Sequence, residues 1–192
     1  MDLKAYLSSR RTIPSVHLSE PGPNESQLLD ILTLASRVPD HGKLARWRFV
    51  KIEGSARKKL GDICLHRAIH LAQEQGRVLT DADKDKTAST FNHAPIVVVL
   101  ISTAGQHPKI PVWEQELSVG AVGMNLVHAS NSVGYSAQWL TGWMSFDSQI
   151  TKELGITDEE KIAGFFHIGT PQAEPVERAR PELSTMISSW SG

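Results

Sequence analysis

Cysteine is almost missing from this chain: Cys64 is the only one in 192 residues. That excludes an intrachain disulfide and fits a reducing compartment. Charge of either sign is not in excess, at a formal net charge of −1. No long-range field therefore favours nucleic acid or an anionic membrane surface. Long apolar runs are also absent. The longest, Ile96 to Ile101, is far shorter than the roughly 20 residues a membrane-spanning helix requires. The first residues carry an acid at position 2 and no apolar core, so no signal peptide is expected. The chain is expected in the cytoplasm. The signatures of dinucleotide and phosphate loops, the GxSxG elbow and the HExxH zinc motif are all absent. His66 and His70 stand one helical turn apart without a third metal ligand nearby. Cys64 lies in a helical apolar pattern, the setting of a buried small residue rather than a nucleophile.

What is present is a globular composition, 40% hydrophobic and 21% charged, most simply one domain over residues 1–192. Helices are predicted over 2–9, from an Asn24–Gln27 capping box to about Arg37, from Gly54 onward, over 113–133 and near 146–154. Strands are predicted near 47–53, 95–102, 135–140 and 162–168. Of these, 95–102 reads as buried on both faces and central. The charged stretch 80–86 reads as exposed and mobile. Ser118, Gly120, Ala121 and Gly123 form a small-residue face in the long helix, open to close approach by another helix. Gly134 suits the helix-closing position. The tail 171–192, rich in proline and glutamate, needs a partner surface to be ordered. Strands separated by helices favour an α+β or mixed-sheet plan with helices on both faces.

The chemistry concentrates in two basic clusters. Arg10-Arg11-Thr12 closes the first helix. The loop from Arg37 through Pro39, Asp40, His41 and Gly42 to Arg48 joins a helix to a strand, a place where binding residues collect. Two such clusters in a nearly neutral chain point to a small anionic ligand, because arginine binds phosphate bidentately and a hydroxyl adds a neutral donor. Trp139-Leu-Thr-Gly142, at a strand end, offers an indole that could wall off a planar ring or simply belong to the core.

These stretches, with Val112-Trp-Glu-Gln-Glu116 and the Gly164 to Gln172 run ending Ile-Gly-Thr-Pro-Gln, resemble the FMN-dependent nitroreductase family, in its small branch, in the right order over nearly the whole chain. The resemblance implies a nitroreductase-like α+β fold, with a mixed β-sheet covered by helices and a homodimer with flavin sites in the subunit interface. The tail 171–192 would lie on the partner. It implies an NAD(P)H oxidoreductase that reduces electron-poor acceptors, such as nitroaromatics or quinones, by ping-pong hydride transfer, with FMN carrying the chemistry and no metal. The other reading is a flavin-binding protein without turnover. By position, Arg10, Arg11, Thr12, Arg37, His41, Trp139, Leu140 and Thr141 would contact FMN, His41 reaching the partner's flavin. Ala129, Ser130, Asn131, Ser132, Val133 and Gly134 match a segment assigned to NAD(P)H. Two departures stand out. Ala45-Arg46 replace a usual Gln-Pro, and Pro14 replaces a polar or basic residue near the flavin N1–C2=O edge, a role that falls to Arg11.

Overall fold

The computed structural model describes residues 2–192. Its elements are α1 (Leu3–Ser9), β1 (Leu18–Ser19), α2 (Glu25–Ala35), β2 (Trp47–Glu53), α3 (Ser55–Glu74), α4 (Asp81–Ser89), β3 (Ile96–Ser102), α5 (Val112–Ser132), β4 (Ser136–Leu140), α6 (Ser148–Glu153) and β5 (Lys161–Pro171). β3 and β5 are the centre of the sheet. β2 lies on the far side of β3, while β4 and the short β1 pair with successive parts of β5. The alternation of β3 divides the core in two. Ile96, Val98 and Leu100 face α2 and α5, packing with Leu28, Ile31, Val122 and Leu126. Val97, Val99 and Ile101 face α3 and α6, packing with Leu60, Cys64, Phe91 and Ile150. A strand buried on both faces favours apolar residues at successive positions, which is why 96–101 reads as a continuous run, with buried Ser102 closing the strand.

Every ladder is antiparallel, rather than mixed as expected. The connections give the reason. α3 and α4 pack on each other between β2 and β3, so the chain re-enters the sheet from the end at which it left. α5 does connect two parallel strands, β3 and β4, but β5 is inserted between them and pairs antiparallel with both. The β3–β5 register slips between Leu100/Ile101 and Gly164/Ile162, leaving Ala163 as a bulge.

The helix ends follow local chemistry. Asn24 accepts the Gln27 N–H at 2.9 Å, while the Gln27 side chain takes the Asn24 N–H at 3.0 Å. The helix stops at Ala35, just before the Arg37 loop. Stretch 80–86 is a correction: it begins α4, capped by a Thr80–Asp83 box of the same kind. No residue of α4 is buried, so capping and the approach to α3 hold it, not an apolar stripe. Cys64 is fully buried, and burial, with Asp147 nearby, pushes its thiol up to about 12. It is an inert core residue, as expected. Among the described residues no helix is long and apolar enough to cross a membrane.

Candidate functional site

The N-terminal cluster is held against the end of β4. The Arg10 N–H caps α1 by donating to Tyr6 O at 2.8 Å. The chain then runs through exposed Thr12 to buried Ile13 and Ser15. The Ser15 N–H donates to Oε1 of Gln138 on β4. Arg10–Thr12 and Trp139–Thr141 are thereby tied together, the first pair of predicted segments that the fold unites. Gln138 makes that tie, and sequence reasoning passed over it although it directly precedes Trp139.

The two arginines differ sharply. Arg10 is half-buried, with no carboxylate within ion-pair distance among the described residues. Its charge is felt by Tyr6 and His128, which are hydrogen-bonded to each other 2.9 Å apart. Burial raises the Tyr6 hydroxyl against the pull of Arg10, and burial plus Arg10 hold His128 below its usual range. Arg11 is engaged on every side. Its Nε and a terminal nitrogen grip the Glu177 carboxylate bidentately, and its other terminal nitrogen donates to Ser8 O at 2.8 Å and Arg10 O at 2.9 Å. Arg11 and the neighbouring Arg178 N–H hold the Glu177 carboxyl down at about 2. A carboxylate thus stands where a phosphate oxygen pair would on Arg11. The two residues are 166 apart in sequence, and nothing local signals the pairing.

Trp139 has a built seat. Its ring tilts against Phe166 with centroids 5.0 Å apart, and its Nε1–H donates to Ala163 O at 3.0 Å. That acceptor is the carbonyl of the bulged residue. Below the ring lie Gly164 and Gly123. A Cβ on the first would come 2.0 Å from Nε1 and on the second 2.7 Å from the ring. The smallness of Gly123 therefore serves a contact within the chain, not the approach of another helix. Gly120 does face open space. One-third of Trp139 remains exposed, beside half-buried Leu140 and exposed Thr141.

The Arg37 loop is fastened along α5. Asn125 donates to Arg37 O at 3.0 Å and Ser118 to Pro39 O at 2.9 Å. Asp40 accepts the Ala45 N–H at 2.7 Å and locks a turn in which Gly42, Lys43 and Ala45 all have positive φ. At Gly42, with φ at 71°, a Cβ would be strained and would have to displace the Ile110 Cδ1 methyl 2.5 Å away, so glycine is favoured. Exposed Arg37 lines an open cleft of about 480 Å³ between α1, α2 and α5, with Tyr6, His128, Ala129 and Ser132. His41 lies elsewhere, in a smaller hollow of about 330 Å³, its Nδ1 2.7 Å from Glu114 Oε2 of the same chain. The fold does not bring His41 to the Arg10 cluster of its own chain.

In the 129–134 segment, Ala129 and Ser130 are buried. The hydroxyl of Ser130 donates to Leu126 O, Asn131 to Val127 O and the hydroxyl of Ser132 to Ala129 O. Val133 is exposed and Gly134 closes the helix at φ 92°. Of these six, only Ala129 and Ser132 reach the cleft. Arg48, in the Trp47-Arg48-Phe49 stretch, is structural: it holds Glu160 through two bonds of 2.7 Å.

Residues 7–170 match the model of the nitroreductase family. Over 175 residues the chain is 30% identical to YdjA of Escherichia coli (strain K12), which bears the provisional name NAD(P)H nitroreductase, with 90% of each chain covered. The fold is that of a nitroreductase-like protein from Bacillus cereus, at a TM-score of 0.82 and 19% identity over 100% of this chain and 97% of the other. It is also that of the FMN and NADPH-dependent nitroreductase NfnB from Sphigopyxis sp. strain HMH, at 0.76 and 17% over the whole of both chains.

Proposed function

The chain belongs to the nitroreductase family, and from that membership we propose an FMN-dependent oxidoreductase that uses NADH or NADPH to reduce electron-poor acceptors such as nitroaromatics or quinones. One observation carries the reading. Arg10, a half-buried cation free of carboxylates, lies on a segment tied by Ser15 and Gln138 to the strand end that presents Trp139 and Thr141. A phosphate at one end and a planar ring at the other match those two features. The provisional name of YdjA and the cofactors named for NfnB point the same way.

In this reading Arg10 and the Thr12 hydroxyl hold the phosphate and ribityl chain by charge-assisted and neutral hydrogen bonds. Trp139, fixed over its two glycines, keeps water from one side of the ring, with Leu140 and Thr141 at its edge. Arg11 is the cation for the N1–C2=O edge once Glu177 releases it, because a positive group there stabilises developing negative charge. Arg37, in the cleft with Tyr6 and His128, is a further FMN contact, whereas His41 serves the partner's site in a homodimer, and the tail 171–192 lies on that partner. The 129–134 segment borders the nicotinamide nucleotide. Bound FMN supplies the two-electron hydride chemistry, which the side chains need only position. For a nitro acceptor the hydride and a proton remove one oxygen as water and leave a nitroso product.

The purified protein is expected to be yellow, with about one FMN per chain, and to oxidise NADH or NADPH only when an acceptor is present. Arg10→Ala should weaken FMN binding by about tenfold to a hundredfold in a fluorescence-quenching titration, the worth of a lost charge-assisted contact. Glu177→Gln should tighten it, by freeing Arg11. A colourless protein that takes up no FMN overturns the assignment, and flavin retention without NAD(P)H oxidation leaves only a carrier.

A further inference from the structure

A second cleft, of about 640 Å³, opens between the C-terminal end of α3, α4 and the loop after β4. Its size is that of small-molecule sites, which span roughly 300–1,000 Å³. Its floor is apolar, from Leu71, Ala72 and Met144, and its rim carries two cations, Arg77 and Lys86. Neither has a carboxylate within ion-pair distance among the described residues. The Arg77 guanidinium contacts only the neutral Gln75 Oε1, at 3.1 and 2.6 Å. Asp83 also lines the cleft, but its carboxylate is engaged in capping α4. It accepts the Thr80 hydroxyl at 2.6 Å and the Thr80 N–H at 3.3 Å. Those bonds are the main reason its carboxyl is held low, and the charges of Lys86 and Arg77 add to it from a distance. Two cations against one engaged carboxylate leave the rim positive. Thr141 and Gly142 form one wall, and Thr141 belongs to the set assigned to the flavin edge.

We propose that this cleft receives the electron acceptor, and that Arg77 and Lys86 select acceptors bearing an anionic group, such as a carboxylate, on an apolar aromatic frame. The proposal rests on the flavin reading above. An apolar floor takes the ring by burial, while two unpaired cations at the rim take the anion. A neutral acceptor would leave both cations with solvent alone, and so gains nothing from them. Guanidinium in particular matches the two oxygens of a carboxylate. The phosphates of NAD(P)H carry the same kind of charge, so the test separates the two ligands.

The parent protein and the double variant Arg77→Gln/Lys86→Gln are loaded with FMN, and their flavin content is measured first. The oxidised proteins are then titrated calorimetrically with para-nitrobenzoate, without reductant. Binding should weaken about tenfold in the double variant, the expected loss of charge-assisted contacts. In turnover, kcat/KM for para-nitrobenzoate relative to para-nitrobenzyl alcohol should fall by a similar factor. Equal loss for both acceptors, no loss for either, or a raised KM for NADH or NADPH with an unchanged acceptor ratio would each overturn the proposal. If the protein holds no flavin, the reading in the preceding section fails. The calorimetric comparison on the flavin-free proteins then still decides whether these two cations bind a carboxylate.

Discussion

His167 is the residue whose chemistry is least at ease in this fold. It sits on β5 opposite Val97, fully buried, its ring stacked 5.9 Å from Phe91, with no hydrogen-bond partner for either nitrogen. Burial, with His93 contributing, lowers its pKa from 6.5 to about 4. Above pH 6.5 the ring is neutral in both folded and unfolded chains and stability does not depend on it. As pH falls through 6.5 the unfolded chain takes up a proton that the folded chain refuses, so stability declines. The loss is complete near pH 4, where the folded ring also protonates, and amounts to about 3 kcal/mol. Urea unfolding at pH values across that window should show the decline in the parent protein. It should be much shallower in His167→Phe, which keeps an aromatic ring against Phe91 and removes the titration. An equally steep decline in both would assign the acid sensitivity to other groups.

At the scale of elements, the seat of Trp139 joins three segments: β4 supplies the indole, α5 supplies Gly123, and β5 supplies Gly164 and the bulged carbonyl of Ala163. Gly164→Ala should push the indole off its seat and break its bond to Ala163, costing about 1–3 kcal/mol from overpacking, with Gly123→Ala destabilising in the same direction. Gly120→Ala meets nothing within 4 Å and should stabilise by up to about 1 kcal/mol, the helix preference for alanine. Chemical denaturation and the indole emission maximum check all three, and a Gly164→Ala protein as stable as the parent would refute the seat. These glycines show where sequence reading reaches its limit. Periodicity places α2, α5 and all the long strands, because each buries one face or two and the pattern is local. It also marks Ser118 to Gly123 as small, but cannot say which neighbour uses the space, since Gly123 and Trp139 meet only after the chain has turned back through β4. The Thr80–Asp83 box obeys the rule that located Asn24–Gln27. It was hidden by the density of charge around it, which reads as solvated coil. Gly61 in α3 is another long-range case: a Cβ there would lie 2.2 Å from Ala88 O of α4, so the two helices pack through a glycine that no short pattern explains. For the site, Arg10–Thr12 and Trp139–Thr141 were legible as clusters, whereas the Glu177 carboxylate on Arg11 was not.

Among the described residues, apolar side chains stay exposed on several elements of the whole molecule. Leu3, Leu7, Leu34, Trp113 and Leu117 are exposed on α1, α2 and α5, and Leu183, Met186, Ile187 and Trp190 are exposed in the tail, Trp190 by 93%. Apolar surface of this extent marks interaction sites, and the second copy of the chain proposed above is the partner that would cover part of it. His41 gives this expectation a sharp form. Its ring is held by Glu114 near the start of α5, away from the Arg10 cluster of the same chain. If it completes a flavin site, that site belongs to a partner. Arg10→Ala and His41→Ala homodimers should each be impaired, the first in holding FMN and the second in turnover. Mixing them and allowing subunits to exchange gives dimers in which one site collects both lesions and the other has none. With equal mixing, about half the dimers are mixed and half their sites intact, so about a quarter of the parental activity should return. Sites built from one chain alone contain one lesion each in every dimer. No activity would return on mixing, and His41 would then be confined to its bond with Glu114.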